Sequence, residues 1–415
     1  MRKWIAMLLA LSLVWSLAAC GGADTPEQPA EDGQPAGTDP ETPDPEPDTE
    51  APSEPETDPD VPAEEETAAP LAALQVTTGS VQHTDDAGSL LLQENLLEAS
   101  VTLADGGEAE AAINEALSAY HAYREAQAAS CLEMAREAQA ASAETGLPFT
   151  GYAVTDQADA GRVDGAVVSV VFTAVDNTGG AHGNTAATAM NFEAATGRQL
   201  TVADLGDDRE ALNGAVTAAV EAAIAANPEG YYPYAADEAA SLLTDGGWYF
   251  SDQGLTVLCD PYRMAPYAAG VLRFTVPYAE LTGILADDWM PGTAAEGGGT
   301  PEAALAEDGV PDAIAAVTAD EGGSPIAVTT DGPLRDVRVR RVSSTDGETW
   351  YAGALCLYLN RLLPGETVSV AAMLPDAMTN LMLTCETDNG TACYGFFQSG
   401  KDGSVFLLPL EQVVF

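Results

Sequence analysis

The residue pattern points to an α+β fold with a mainly antiparallel sheet and two or three helices, followed by a separate all-β sandwich. Three observations lead there. Two stretches with helical apolar spacing, Glu108–Ala141 and about 207–226, are interleaved with short alternating or Val/Phe-dense runs between residues 90 and 276. Beyond residue 310 the helical period disappears, and seven short alternating runs follow one another between turn signals. The hydrophobic fraction, 46%, is large enough for real cores.

Taken from the N-terminus, the first element is an address. Met1-Arg2-Lys3 precedes an apolar run from Trp4 to Ala19 and then Cys20-Gly21-Gly22. A basic start, a short apolar core and small residues before a cut site make a secretory signal peptide over 1–20. The run falls short of the roughly 20 residues that span a bilayer comfortably. Leu17-Ala18-Ala19-Cys20 resembles the bacterial lipobox, which implies acylation of the Cys20 thiol, a lipid anchor in the cell membrane and everything after Cys20 facing the extracytoplasmic side. Residues 21–71 then hold 17 acidic side chains and no basic one, with abundant proline. Proline removes backbone donors and like charges repel, so this segment is expected to be a disordered tether, of which residues 23–70 reach at most roughly 150 Å at about 3.1 Å per residue.

The α+β part is expected over 72–290. Strand alternation begins at Leu90 and runs to Leu103. Ile113, Leu117, Tyr120, Ala128, Cys131, Ala135 and Ala138 then form one helical stripe, interrupted only by Arg124, and Gly146-Leu147-Pro148 ends it. Strands follow at 149–154, 165–174 and up to Phe192, then the second helix, a shorter one at 235–243, and strands at 248–250, 254–259 and 270–276. A short Gly/Ala/Glu-rich linker at 291–309 leads to the sandwich over 310–415. There, Cys385 and Cys393 flank a turn signal and are candidates to face each other across a hairpin, with a disulfide possible but not required. Five cysteines remain after Cys20, an odd number, so at least one stays unpaired within a chain.

The chain carries 65 acidic against 15 basic residues, a net charge of −50, which argues against binding nucleic acid through a basic face. Only Lys3 and Lys401 are lysines. Arg338, Arg340 and Arg341 form a small basic spot suited to local ion pairs. His182 stands in a constrained setting between Gly179-Gly180-Ala181 and Gly183-Asn184, as a ligand contact or as part of a glycine-built turn. Pro261-Tyr262 and Ala265-Pro266-Tyr267 place aromatic rings beside rigid turns, suited to carbohydrate stacking, protein contact or closing a sheet. His182, Asn184, Tyr262 and Tyr267 are therefore the candidate ligand-binding residues. Nucleophile elbows and His/Cys metal spacings are missing from the sequence, so no catalytic residue, metal or cofactor is expected. The acidic loop from Asp204 to Asp208 lacks calcium-loop spacing and reads as solvated surface.

Four motifs occur in a specific order: Thr178–Asn184 with Asn191-Phe192, Gly197–Leu205, Gly254-Leu255 with Asp260-Pro261-Tyr262, and Ala265–Gly270 with Phe274–Leu281. Together they resemble the extracellular domain of the RsiV anti-sigma factor and the N-terminal module of PdaC-like deacetylases, a domain family of uncharacterised function, over most of 85–285. The resemblance implies a lysozyme-like protein or peptidoglycan as ligand. It is not expected to extend to a cytoplasmic anti-sigma segment, since a lipobox takes the place of the spanning helix, nor to a metal-dependent deacetylase domain, since no histidine follows His182. The expectation is a non-enzymatic, membrane-anchored surface lipoprotein whose first domain binds a cell-envelope ligand. The alternatives are a carboxylate-dependent hydrolase of wall polymers and a structural or adhesive module acting through the C-terminal sandwich.

Overall fold

Strand β1 (Ala72–Thr84) is the hinge on which the architecture turns in the computed structural model, which describes residues 70–415 except Leu147, 293–296, 376–377 and 388–389. The segments expected to be a signal peptide ending at Cys20 and a tether, apart from the last two residues of the latter, lie outside the described residues. The fold is α+β, built among the described residues from four α-helices, a large sheet rich in antiparallel pairs and two smaller sheets. After β1 come β2 (Leu90–Leu103), the 39-residue helix α1 (Gly107–Thr145), β3 (Tyr152–Val163), β4 (Val167–Asn177) and β5 (Asn184–Glu193). These strands lie in the order β1-β2-β3-β4-β5, with β2 and β3 parallel and the other pairs antiparallel.

The α1 stripe is buried as its spacing requires: Ile113, Leu117, Ala128, Cys131 and Ala135 all face the interior. Tyr120 stacks on Phe172 of β4 with ring centroids 4.0 Å apart. Arg124, the polar interruption, is buried too. Its Nε donates to Asp156 Oδ1 at 2.7 Å and its Nη2 to Asp176 Oδ1 at 2.7 Å, so one guanidinium ties the helix to β3 and β4. A charge in the stripe is tolerated because charged partners meet it.

A second layer follows. Helix α2 (Arg209–Ala226) is capped by Asp208, which accepts from the Ala211 N–H, and buries Leu212, Val216 and Val220. Next come the four-residue helix α3 (Ala235–Glu238), strands β6 (Trp248–Phe250), β7 (Gly254–Cys259) and β8 (Leu272–Pro277), and the four-residue helix α4 (Tyr278–Leu281). The antiparallel sheet β6-β7-β8 shares one core with α2, centred on Trp248, Phe250, Val257 and Phe274. This layer is fixed to the main sheet by polar contacts. Ser169 Oγ accepts from the Phe250 N–H at 3.3 Å, and Asn191 Nδ2 donates to the Trp248 carbonyl at 2.7 Å. The approach is close enough to require glycine at 161, where a Cβ would sit 2.4 Å from the Phe250 carbonyl oxygen.

The C-terminal strands are β9 (Pro301–Leu305), β10 (Ala315–Thr318), β11 (Ser324–Thr330), β12 (Leu334–Ser343), β13 (Thr349–Leu362), β14 (Val368–Ala372), β15 (Leu381–Thr387), β16 (Gly390–Gln398), β17 (Val405–Pro409) and β18 (Gln412–Val414). A four-stranded sheet, β10-β14-β11-β9, packs on β17-β16-β15-β12-β13 around a core containing Val328, Val339, Leu357, Val370, Leu383 and Phe396. That is a sandwich. The sequence reading divides the chain at 291–309, but hydrogen bonding crosses that division: Ala73, Leu74 and Gln75 of β1 pair antiparallel with Leu359, Tyr358 and Leu357 of β13. One eleven-stranded sheet therefore runs through both parts. β15 and β16 pair antiparallel, as the turn signal between them predicts, yet their register sets Thr384 opposite Cys393 and Ala392 opposite Cys385. Residues directly opposite share a face and neighbours alternate, so the two cysteines point to opposite faces and stay free, as do Cys131, Cys259 and Cys356.

Beside the β1–β13 pairing, Arg338 and Arg340 of β12 reach back to β3. Arg340 Nη2 donates to Asp159 Oδ1 at 2.5 Å. Arg338 pairs with Asp336 at 2.8 Å, Asp252 at 3.2 Å and Asp159 at 3.4 Å, with its guanidinium 5.0 Å from the Tyr358 ring centroid. Arg341 pairs with Asp320 at 2.8 Å. Burial within the protein, then the Asp336 carboxylate, push the Asp252 carboxyl above its ordinary range, against the pull of Arg338. Its side chain is 48% exposed, so water tempers the effect. A raised folded value means the native state holds this proton more tightly than the unfolded chain. The associated stability is full below the ordinary carboxylate pKa of about 4 and is lost as pH rises through the folded value. Asp252→Asn is therefore expected to raise the denaturation midpoint at pH 8 more than at pH 4. Equal gains at both would show that the carboxyl titrates normally.

Candidate functional site

The loop from Asp260 to Gly270 joins β7 to β8 and lies along the outer edge of β5. Several contacts hold it there. Asp260 Oδ1 accepts from the Ala187 N–H at 2.9 Å, the Tyr262 N–H donates to the Ala265 carbonyl, and the Tyr232 N–H donates to the Met264 carbonyl. Arg263 binds Glu238 at 2.9 Å, and Met264 is fully buried. Burial pushes the Asp260 carboxyl up, opposed by the Ala187 N–H and by Arg263. Within this frame Tyr262 adopts φ 69°, a conformation that costs a side-chain-bearing residue energy, and the residue is 53% exposed.

The loop between β4 and β5 brings His182 to the same place. His182 stacks on Tyr267 with centroids 3.8 Å apart and an 18° tilt, while Tyr262 lies 5.6 Å from His182 and 5.5 Å from Tyr267. The hydrogen bonds fix the imidazole tautomer. His182 Nδ1 is 2.9 Å from the Gly183 carbonyl, which can only accept, so Nδ1 carries the proton. In the neutral ring Nε2 then accepts from the Tyr262 hydroxyl at 2.8 Å. The Tyr267 hydroxyl meets Thr185 Oγ1 at 2.9 Å. Gly183 is needed in this turn, because a Cβ there would sit 2.9 Å from Val175 Cγ1.

Three of the four sequence candidates thus converge on one surface cluster. Asn184 begins β5 opposite Asp176, is exposed, and adds no ring to the group. Thr185 and Asp260 are the partners the sequence reading missed as site residues. Only the register of β5 against the 260 loop reveals them. The remaining histidines serve locally: His83 lies 3.0 Å from Glu94, and His121 Nδ1 lies 2.7 Å from the Leu97 carbonyl. In the acidic loop, Asp204 closes a capping box with Thr201 and binds Arg198 at 2.6 Å, while Asp208 caps α2. Among the described residues no three His, Cys, Asp or Glu side chains are grouped to hold a metal ion. The ring cluster offers stacking faces and phenolic oxygens, a chemistry of recognition.

Residues 202–279, from the turn before α2 to the start of α4, match the model of a family described as "Protein of unknown function (DUF3298)". The chain carries a DUF3298 domain. Tyr262 and Tyr267 belong to the DUF3298 domain, and His182 reaches it from the strands before it. A crystal structure of a DUF3298 family member from Bacteroides fragilis is 20% identical, covers 52% of this chain and 94% of its own, and gives a TM-score of 0.41. A DUF3298 family protein from Pseudomonas aeruginosa is also 20% identical, covers 53% of this chain and 97% of its own, with a TM-score of 0.36. No curated protein matches the chain.

Proposed function

We propose that this chain is a non-catalytic surface lipoprotein, anchored through Cys20, whose RsiV/PdaC-like part binds a cell-envelope ligand at the His182–Tyr262–Tyr267 cluster. The ligand is a lysozyme-like protein or peptidoglycan. The observation that carries this reading is the exposed Tyr262 ring, held at positive φ by a loop whose backbone is fixed on both sides. An aromatic ring ordered before binding loses little conformational freedom on contact, the property that makes tyrosines strong anchors in interfaces. The acidic surface adds long-range attraction for basic partners. Residues 72–290 hold 31 acidic and 7 basic side chains, a net −24, so association with a basic protein should fall with salt.

Calorimetric titration of the full chain with lysozyme and with soluble peptidoglycan fragments tests the reading. One of the two is expected to bind, and Tyr262→Ala is expected to weaken that binding by about 30-fold or more, the loss of about 2 kcal/mol that defines a hot spot. Binding of neither ligand at low salt, or binding indifferent to Tyr262→Ala, would refute the assignment. Release of soluble products from labelled peptidoglycan would favour the hydrolase alternative instead.

A further inference from the structure

We infer that the distal half of β1, Thr77–Thr84, is a docking edge for an extended, basic segment of a partner protein, which adds to the main sheet as a further strand. β1 pairs with β2 along its whole length, but with β13 only at Ala73–Gln75. From Thr77 onward, no strand among the described residues lies on its other side, and Thr77–Gln82 and Thr84 are exposed. This is a row of strand backbone about seven residues long, regular up to the register shift between His83 and Thr84, and a template to which an incoming strand can pair.

The sheet's other edges are treated differently. β5 is blunted along its length: Asp260 takes the Ala187 N–H, the Gly246 carbonyl takes the Ala189 N–H at 2.8 Å, and the Leu200 N–H covers the Asn191 carbonyl at 2.7 Å. β17 is only five residues long, ends in Pro409 and follows the hairpin that carries Lys401. Short length, proline and lysine are the usual ways of discouraging strand addition. The distal β1 segment has none of them. Its sequence, Thr-Thr-Gly-Ser-Val-Gln-His-Thr, contains no lysine, arginine, aspartate, glutamate or proline, and Val81 is 48% exposed.

Charge selects the occupant. No lysine or arginine occurs from Gly21 to Tyr123, whereas Asp85 and Asp86 follow the edge, and Glu94 and Glu98 stand opposite Val81 and Thr77 on β2. The Glu98 side chain is 78% exposed. The chain's own tether is excluded by composition, since its prolines lack donors and its carboxylates would meet these. A second copy would bring the same acids of both molecules together. A strand bearing lysine or arginine meets complementary charge and a free backbone row at once.

The test uses the full chain and two eight-residue peptides, one alternating lysine with valine and one alternating glutamate with valine. The lysine peptide is expected to slow hydrogen exchange of amides within 77–84 and to bind at least about tenfold more tightly than the glutamate peptide. Binding should be lost in the double variant Thr78→Lys, Val81→Lys, which places like charge on the edge without touching the core, and retained in Tyr262→Ala. Equal binding of the two peptides, unchanged exchange at 77–84, persistence in the lysine variant, or self-association of the chain through this edge would each overturn the proposal.

Discussion

Replacing Arg124 by alanine is expected to destabilise the protein by about 3–5 kcal/mol at neutral pH, read as a shift in the chemical denaturation midpoint. Asp156 is almost wholly buried, and one of its oxygens, Oδ2, has no hydrogen-bond partner, so the Arg124 Nε contact at 2.7 Å is its main compensation. Burial already pushes the Asp156 carboxyl above its usual range, and Arg124 is the chief opposing influence. Without the guanidinium the carboxylate is left charged in a site that disfavours charge, and it takes up a proton more readily. The deficit relative to the unmodified protein should therefore shrink as pH falls. A deficit that stays constant with pH would show that lost packing, rather than the stranded carboxylate, causes it. Replacing Arg124 by methionine together with Asp156 by leucine removes both charges and should recover most of the loss, because Asp176 is part-exposed and can be solvated alone.

A chain ending at residue 300 is expected to lose at least about 4 kcal/mol from its remaining part and to self-associate, as measured by thermal unfolding and sedimentation. Leu355 and Tyr358 of β13 sit in the same core as Leu74, Val76, Leu97 and Phe172. Removing two such side chains costs about 2–5 kcal/mol each in large-to-small substitutions. The truncation also uncovers the backbone of Ala73–Gln75 and leaves Asp159 without Arg338 and Arg340. A monomeric fragment with an unchanged melting temperature would show that the shared sheet contributes nothing to the first part. The same truncation is not a clean test of which part binds ligand, because it disturbs both.

How far the sequence carried the reading depends on the range of the interaction. The α1 stripe was legible because its signal is local, and Arg124 stood out within it. What Arg124 does was not legible, since its partners lie 32 and 52 residues away. β1 escaped notice because its apolar alternation stops at Val76, where the strand leaves the core and becomes an exposed edge. Its pairing with β13, between residues 282 to 286 positions apart, leaves no local trace. The Cys385–Cys393 hairpin was visible from its turn, but facing depends on register, and one residue of offset reverses it. At the site, glycines around His182 and prolines beside Tyr262 and Tyr267 marked each residue separately. Their convergence across 80 residues required the β5 edge, on which the 260 loop rests.

That resting contact has an implication for altering the proposed ligand site. Asp260 both seals β5 against unwanted strand pairing and anchors the loop that displays Tyr262. Libraries meant to change ligand choice should vary positions 262 and 267 and leave 260 alone. Otherwise selection for new affinity would enrich sticky, aggregation-prone clones whose apparent gain comes from a bared strand.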